Sequence, residues 1–168
     1  MNSLEAELRK QQSTLICSGI AIILFGIWSI IRIVLMFYFD ADHLYNLFDI
    51  DYSFYGESVK KLVVIMVLIL LFLDLIARTY IGLAAIKEGS GELSKRITYI
   101  VVAVVCMAIA VTADMTSIVS FFIEDKDYDA LISAIVDISI HIATVELVVA
   151  AIKARIISKK LNIAQSVG

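Results

Sequence analysis

Residues 62–87 read LVVIMVLILLFLDLIARTYIGLAAIK, and this run decides the fold of the chain. A helix needs about 20 mostly apolar residues to cross the hydrocarbon core of a bilayer, and the run exceeds that length. An acid and a base, Asp74 and Arg78, stand in its middle, and their i, i+4 spacing puts both on one helical face. The run therefore predicts a membrane-spanning helix with charges at a depth where they need partners.

The composition of the whole chain supports the same class. Its 168 residues are 61% hydrophobic and 18% charged, with a mean hydropathy of +0.93. A soluble domain of this size has too little interior to bury so much apolar side chain. The composition therefore indicates a membrane protein, and the length predicts one domain over residues 1–168.

Three further apolar runs complete the predicted fold, an all-α integral membrane bundle of four transmembrane helices. The spans are predicted at about 14–39, 62–87, 97–123 and 130–152. Residues 40–61 form an outer loop, and 153–168 form a basic cytoplasmic tail. Before the first span, residues 2–12 predict a short amphipathic helix on the membrane surface. The glycines of Glu88-Gly89-Ser90-Gly91-Glu92 predict a tight turn between the second and third spans.

The distribution of lysine and arginine predicts the orientation of the spans. Four crossings place both termini on one side, and that side collects nine basic residues: Arg9, Lys10, Lys87, Lys95, Arg96, Lys153, Arg155, Lys159 and Lys160. The other side has only Lys60, Lys61 and Lys126. Because cytoplasmic loops carry the excess of basic residues, both termini are predicted to be cytoplasmic. The expected location is the plasma membrane.

Seven ionisable residues inside the predicted spans are the candidates for an ion or ligand path: Arg32, Asp74, Arg78, Asp114, Asp137, His141 and Glu146. Their distances from the span ends predict an outer layer in which Arg32 pairs with Asp114 or Asp137. Deeper in the bundle, Arg78 is expected to pair with Asp74 or Glu146, and His141 lies near the middle. Glu146 falls about half a turn away from the face that Asp137 and His141 share.

These charges have a structural and a functional interpretation. Ion pairs between helices can fix the register of a bundle without any ligand. However, two bases face four acids and a histidine in the spans, so two acids are expected to lack a basic partner. A buried carboxylate in that situation stays protonated or faces water, and either state suits the handling of a proton or cation.

Two resemblances to known families rest on these residues. Four spans with an arginine in the first, Arg32, and an aspartate in the third, Asp114, resemble the MARVEL and Casparian-strip membrane proteins. The motif Asp74-x-x-x-Arg78 resembles the second helix of voltage-sensor domains. The fourth span of this chain lacks the arginine ladder of a voltage sensor, so that resemblance implies no voltage sensing.

Two functions of different classes follow. The first is a small transporter or channel component that passes a cation or proton along the charged residues. The alternative is a non-transporting scaffold or accessory subunit, whose charges fix helix packing or bind a partner. An enzyme is less favoured, since no GxSxG or HExxH motif occurs. No metal, cofactor or nucleic acid is predicted; the expected partners are the lipid bilayer and either a second copy or another membrane protein.

Overall fold

The computed structural model describes residues 2–39, 57–92, 97–123 and 128–167, and over these ranges the chain is all-α with no strand. Its four helices are α1 Asn2–Phe39, α2 Glu57–Gly89, α3 Thr98–Ile123 and α4 Tyr128–Val167. The predicted all-α class is therefore confirmed. Most of the predicted outer loop lies outside the described residues, and its end, from Glu57 onward, already belongs to α2.

All four helices are longer than the hydrocarbon core of a bilayer. They contain 38, 33, 26 and 40 residues, or about 57, 50, 39 and 60 Å at 1.5 Å per residue, against a core of about 30 Å. The chain has no proline to kink them. Two stretches, Ser3–Arg32 and Val64–Gly89, are long and apolar enough to cross a membrane; a shorter apolar stretch is Thr98–Thr112.

Both chain ends are more regular than the sequence predicts. The amphipathic segment expected at residues 2–12 is not a separate helix, because α1 runs without a break from Asn2 to Phe39. The basic tail expected at 153–168 is also helical, since α4 continues to Val167. Ile157 and Leu161 are only 6% and 8% exposed. Apolar side chains at this spacing give the last turns of α4 a buried face, which explains why the helix continues.

The chain divides into two compact units, and α1 and α2 contribute residues to both. The first unit consists of Met1–Ile22 and Tyr80–Gly168, and the second of Ile23–Thr79. The predicted single four-span domain stays a prediction.

The core of the first unit is built largely from small and aliphatic side chains of all four helices. Its buried members are Leu15, Ile22, Ile81, Ala85, Tyr99, Ile100, Ala103, Leu147, Ala150, Ala151 and Ala154. Alanines spaced three or four residues apart on α4 leave room for α3, against which α4 packs. This close packing positions the polar groups described below.

Two glycines let α1 and α2 approach closely within the first unit. A Cβ added at Gly19 would lie 2.8 Å from the carbonyl oxygen of Gly82. A Cβ added at Gly89 would lie 2.7 Å from both the carbonyl oxygen of Gln12 and Cγ1 of Ile16. Since these distances are far inside van der Waals contact, any side chain at Gly19 or Gly89 would push the helices apart.

The predicted turn after the second span is present, and only one of its two glycines forms it. Gly91 has a φ of 90°, the left-handed conformation that glycine adopts most readily. The amide of Glu92 donates to the carbonyl of Lys87, and that of Gly91 donates to the carbonyl of Glu88, at 3.1 Å each. This is the Schellman pattern that ends a helix. Gly89 lies two residues before Gly91 and is the last residue of α2.

The second unit contains an exposed apolar face of α2. Ile65, Leu68, Ile69, Phe72 and Leu73 line a shallow open groove on it. On the opposite side of α2, Val67 is only 9% exposed. A Cβ at Gly26 of α1 would lie 3.2–3.4 Å from atoms of Arg78 and Leu75, so α1 and α2 are also in contact here.

Candidate functional site

The most buried charged side chain of the described chain is Glu88, in the last turn of α2. Its side chain is 1% exposed. Glu88 follows Val67, Asp74 and Ile81 at intervals of seven residues. An ideal helix drifts only about 20° per seven residues, so these positions share one face of α2. The sequence predicts Glu88 in a turn; the structure places it on the buried face of a helix.

Two side chains from neighbouring helices donate hydrogen bonds to the Glu88 carboxylate. Nε of Arg155 on α4 donates to Oε1 at 2.6 Å, and Nη2 donates to Oε2 at 2.7 Å. The hydroxyl of Tyr99 on α3 donates to Oε2 at 2.7 Å. The two parallel Arg155 bonds form a bidentate ion pair, the strongest geometry for these groups. We call Glu88, Tyr99 and Arg155 the Glu88 cluster; it links α2, α3 and α4.

Arg155 makes a second contact inside the Glu88 cluster. Its guanidinium carbon lies 5.8 Å from the centroid of the Tyr99 ring, within the range of a cation–π interaction. The hydrogen bond to Glu88 raises the pKa of the Arg155 guanidinium above its ordinary value. Arg155 is therefore a cation at every physiological pH. Since both oxygens of Glu88 already accept hydrogen bonds, the cluster is suited to holding helices together.

Asp74 and Arg78, the central candidates from sequence, are bonded to each other in the second unit. Nε of Arg78 lies 2.6 Å from Oδ2 of Asp74. Of the two partners considered for Arg78, the structure thus shows Asp74. The Arg78 and Asp74 side chains are 18% and 36% exposed, so this pair is less enclosed than the Glu88 cluster. Because both residues belong to α2, their bond does not by itself join two helices.

The other candidate residues lie on three helices. Arg32 is partly buried on α1, and its Nε is shielded from solvent. Asp137 and His141 are partly buried one turn apart on α4, and Glu146 is exposed. The side chain of Asp114 lies outside the described part of the chain. The pairing of Arg32 with Asp114 or Asp137, and the grouping of His141 with Asp74 and Arg78, stay predictions.

The sequence patterns did not indicate three residues of this candidate site: Glu88, Tyr99 and Arg155. The glycines beside Glu88 indicate a solvent-exposed turn, and Lys153, Lys159 and Lys160 make Arg155 resemble part of a basic tail. A signal was nevertheless available, because Glu88 is fourteen residues, or four helical turns, from Asp74. That interval places both carboxylates on one face.

Among the described residues, no group of three His, Cys, Asp or Glu side chains could hold a metal ion. The groove on α2 is lined by apolar side chains. The Glu88 cluster and the Asp74–Arg78 pair are ion pairs and hydrogen bonds between and along helices.

Comparisons with known proteins found no match to this chain. A scan of protein-family models, a search of curated proteins and a search of solved structures each returned nothing similar. The resemblance to the MARVEL and Casparian-strip proteins gains no support from them. The chain is accordingly classed by its own features: its described residues form four helices and no strand, and two of these helices are long and apolar enough to span a membrane.

Proposed function

We propose that this chain is a small integral membrane protein of four spans that serves as a non-transporting scaffold or accessory subunit. The observation that carries the proposal is the Glu88 cluster: the most enclosed carboxylate is bound by a guanidinium and a phenol from two other helices. Such a group specifies how helices meet. A conducting path, in contrast, needs a polar group that can exchange partners with a moving ion.

The exposure of the apolar stretches supports membrane insertion. Only 28% of the most apolar window in Ser3–Arg32, and 11% of that in Val64–Gly89, is buried within the protein. A core helix of a soluble protein is buried over most of its apolar face. Large side chains such as Leu24, Leu70 and Phe72 are 60–62% exposed. Water would be a poor solvent for such surfaces, whereas lipid hydrocarbon suits them.

We predict that both termini face the cytoplasm, because nine of the twelve basic residues at or beyond the ends of the predicted spans would lie on the side of the termini. In a background without Cys17 and Cys106, a membrane-impermeant maleimide added to intact cells should label Ser53→Cys and leave Ser90→Cys unlabelled. After the cells are opened, Ser90→Cys should react as well, which controls for accessibility. Labelling of Ser90→Cys alone in intact cells would reverse the orientation.

The transporter remains a second candidate because the Asp74 side chain keeps 36% exposure beside its salt bridge. A carboxylate at that depth with access to water would suit proton or cation passage. Arg32, which belongs to the same unit as Asp74, would then line that path. The two candidates make opposite predictions for a reconstituted protein.

We expect vesicles that contain the purified chain to pass protons and potassium no faster than protein-free vesicles. If the chain does transport, Asp74→Asn should abolish the flux, while Glu7→Gln, which changes an exposed carboxylate of α1 outside the predicted spans, should keep it. Circular dichroism of both variants must show intact helix content. Flux above background that Asp74→Asn removes from a folded protein would replace the scaffold by the transporter.

A further inference from the structure

The contacts of the last turn of α2 show which parts of α1 and α4 extend past it in the first unit. Gly89 packs on Gln12, Leu15 and Ile16 of α1, and Glu88 binds Arg155 of α4. These positions of α1, α2 and α4 therefore lie at the same height along the helix axes. The first ten or so residues of α1 and residues 156–167 of α4 continue beyond that level, at the end where the two chain termini lie.

The segment of α4 at this end carries only basic charges. From residue 147 to the C-terminus, the chain contains Lys153, Arg155, Lys159 and Lys160 and no acid. Arg155 is neutralised by Glu88, which removes the acid of the last turn of α2 from the surface as well. The three lysines are all exposed. Lys153, Lys159 and Lys160 therefore give this segment of α4 a positive charge, and the segment itself contains no acid that would balance it.

Exposed isoleucines alternate with these lysines. Ile152, Ile156 and Ile163 are 48%, 50% and 55% exposed, while Ala154, Ile157 and Leu161 on the other side of the helix are buried. Lys153 and Lys160 are seven residues apart, as are Ile156 and Ile163, so each pair shares a line along the helix. We call these six exposed residues the α4 basic face: Ile152, Lys153, Ile156, Lys159, Lys160 and Ile163.

We propose that the α4 basic face binds the head groups of anionic lipids in the leaflet next to the chain termini. The proposal rests on membrane insertion as argued above. Clusters of lysine just beyond a spanning helix attract anionic lipids. Isoleucines among the lysines suit the boundary between head groups and acyl chains, because lysine stems can lie along apolar surface while the ammonium stays at the head groups.

Orientation during insertion offers a simpler reason for the lysines, and the isoleucines distinguish the two explanations. A charge that only sets topology needs no particular neighbours. A lipid site instead needs charge and apolar area on the same face, which is the arrangement of α4. Exposed bases on α1, Arg9 and Lys10, provide a comparison, because they lie at the same end and have Glu7 exposed beside them.

Binding can be measured on the purified full chain in neutral detergent micelles, titrated with short-chain phosphatidylserine or phosphatidylcholine. We expect phosphatidylserine to bind more tightly. The triple variant Lys153→Gln, Lys159→Gln, Lys160→Gln should weaken phosphatidylserine binding at least tenfold, since each juxtamembrane base contributes roughly fivefold. Ile156→Ser removes no charge and should nevertheless weaken phosphatidylserine binding, because it removes apolar area from the same face. The control Arg9→Gln, Lys10→Gln should bind phosphatidylserine within about twofold of the unchanged chain.

Three results would overturn the proposal. They are equal binding of the two lipids, an equal loss in the α1 control, and displacement by millimolar inorganic phosphate, which would indicate a phosphate site instead of a lipid site. The measurement in micelles depends on neither orientation nor transport. A failed lipid titration with the predicted cysteine labelling would leave the membrane scaffold intact. If both cysteines stayed unlabelled until the cells were opened, that result would count against insertion itself.

Discussion

Replacing Arg155 by methionine should lower the free energy of unfolding by about 3–5 kcal/mol. The change leaves the Glu88 carboxylate, only 1% exposed, without its guanidinium partner, and an uncompensated buried charge is strongly destabilising. Glu88→Leu should cost a similar amount, because it removes the acceptor of three hydrogen bonds. The measurement is reversible unfolding in mixed micelles, followed by circular dichroism.

The double variant Glu88→Leu, Arg155→Met separates a direct interaction from two independent losses. It should be more stable than the sum of the single losses predicts, since neither charge then stays buried alone. Asp74→Leu, Arg78→Met provides the matched control in α2. Its coupling should be smaller, because both residues lie on α2 and their bond joins no two helices. If the losses of unfolding free energy at Glu88 and Arg155 were strictly additive, the two side chains would not be directly coupled.

The second large effect is expected at the glycines where α1 meets α2. Gly89→Ala and Gly19→Ala should each lower the unfolding free energy by about 2 kcal/mol, as overpacking typically does. The new methyl group would lie 2.7–2.8 Å from a backbone carbonyl oxygen, which cannot yield unless the helices separate. This loss opposes a gain of up to about 1 kcal/mol in helix propensity.

Gly26→Ala is the control for that series. Its methyl group would lie 3.2–3.4 Å from Cδ and Cβ of Arg78 and from Leu75 Cδ1; Arg78 Cδ and Leu75 Cδ1 belong to flexible side chains that can shift slightly. We therefore expect Gly26→Ala to be neutral or slightly stabilising. Thermal unfolding in detergent would rank the three variants. If Gly89→Ala lowered the unfolding free energy no more than Gly26→Ala does, the close approach of α1 and α2 at Gly89 would be contradicted.

The sequence is sufficient to predict the described helices and to name Asp74 as one of two partners for Arg78. Long apolar runs without proline predict all four helices, and the spacing of Asp74 and Arg78 predicts their shared face. Both inferences depend on residues close together in the chain. The i, i+4 bond that the structure shows is local in the same way.

The Glu88 cluster could not be predicted in the same way because it joins distant segments. Arg155 lies 67 residues after Glu88, and the ordinary location of a glutamate beside Gly89 is a solvent-exposed turn. The helix continues past the last apolar run because Ile157 and Leu161 pack inward, which depends on tertiary contacts. The glycines Gly19, Gly82 and Gly89 are the local signal for close helix packing, because small residues let two helices approach each other.

Arg155 holds the buried carboxylate of α2, and we propose that this ion pair serves to pack helices. NMR of the arginine Nε–H groups in ¹⁵N-labelled protein in micelles tests this proposal. Arg155 should give a downfield, slowly exchanging Nε–H signal at neutral pH, which Glu88→Gln shifts and accelerates, while the exposed Arg9 does not respond. An Arg155 signal that exchanges as fast as that of Arg9 and ignores Glu88→Gln would contradict the claim.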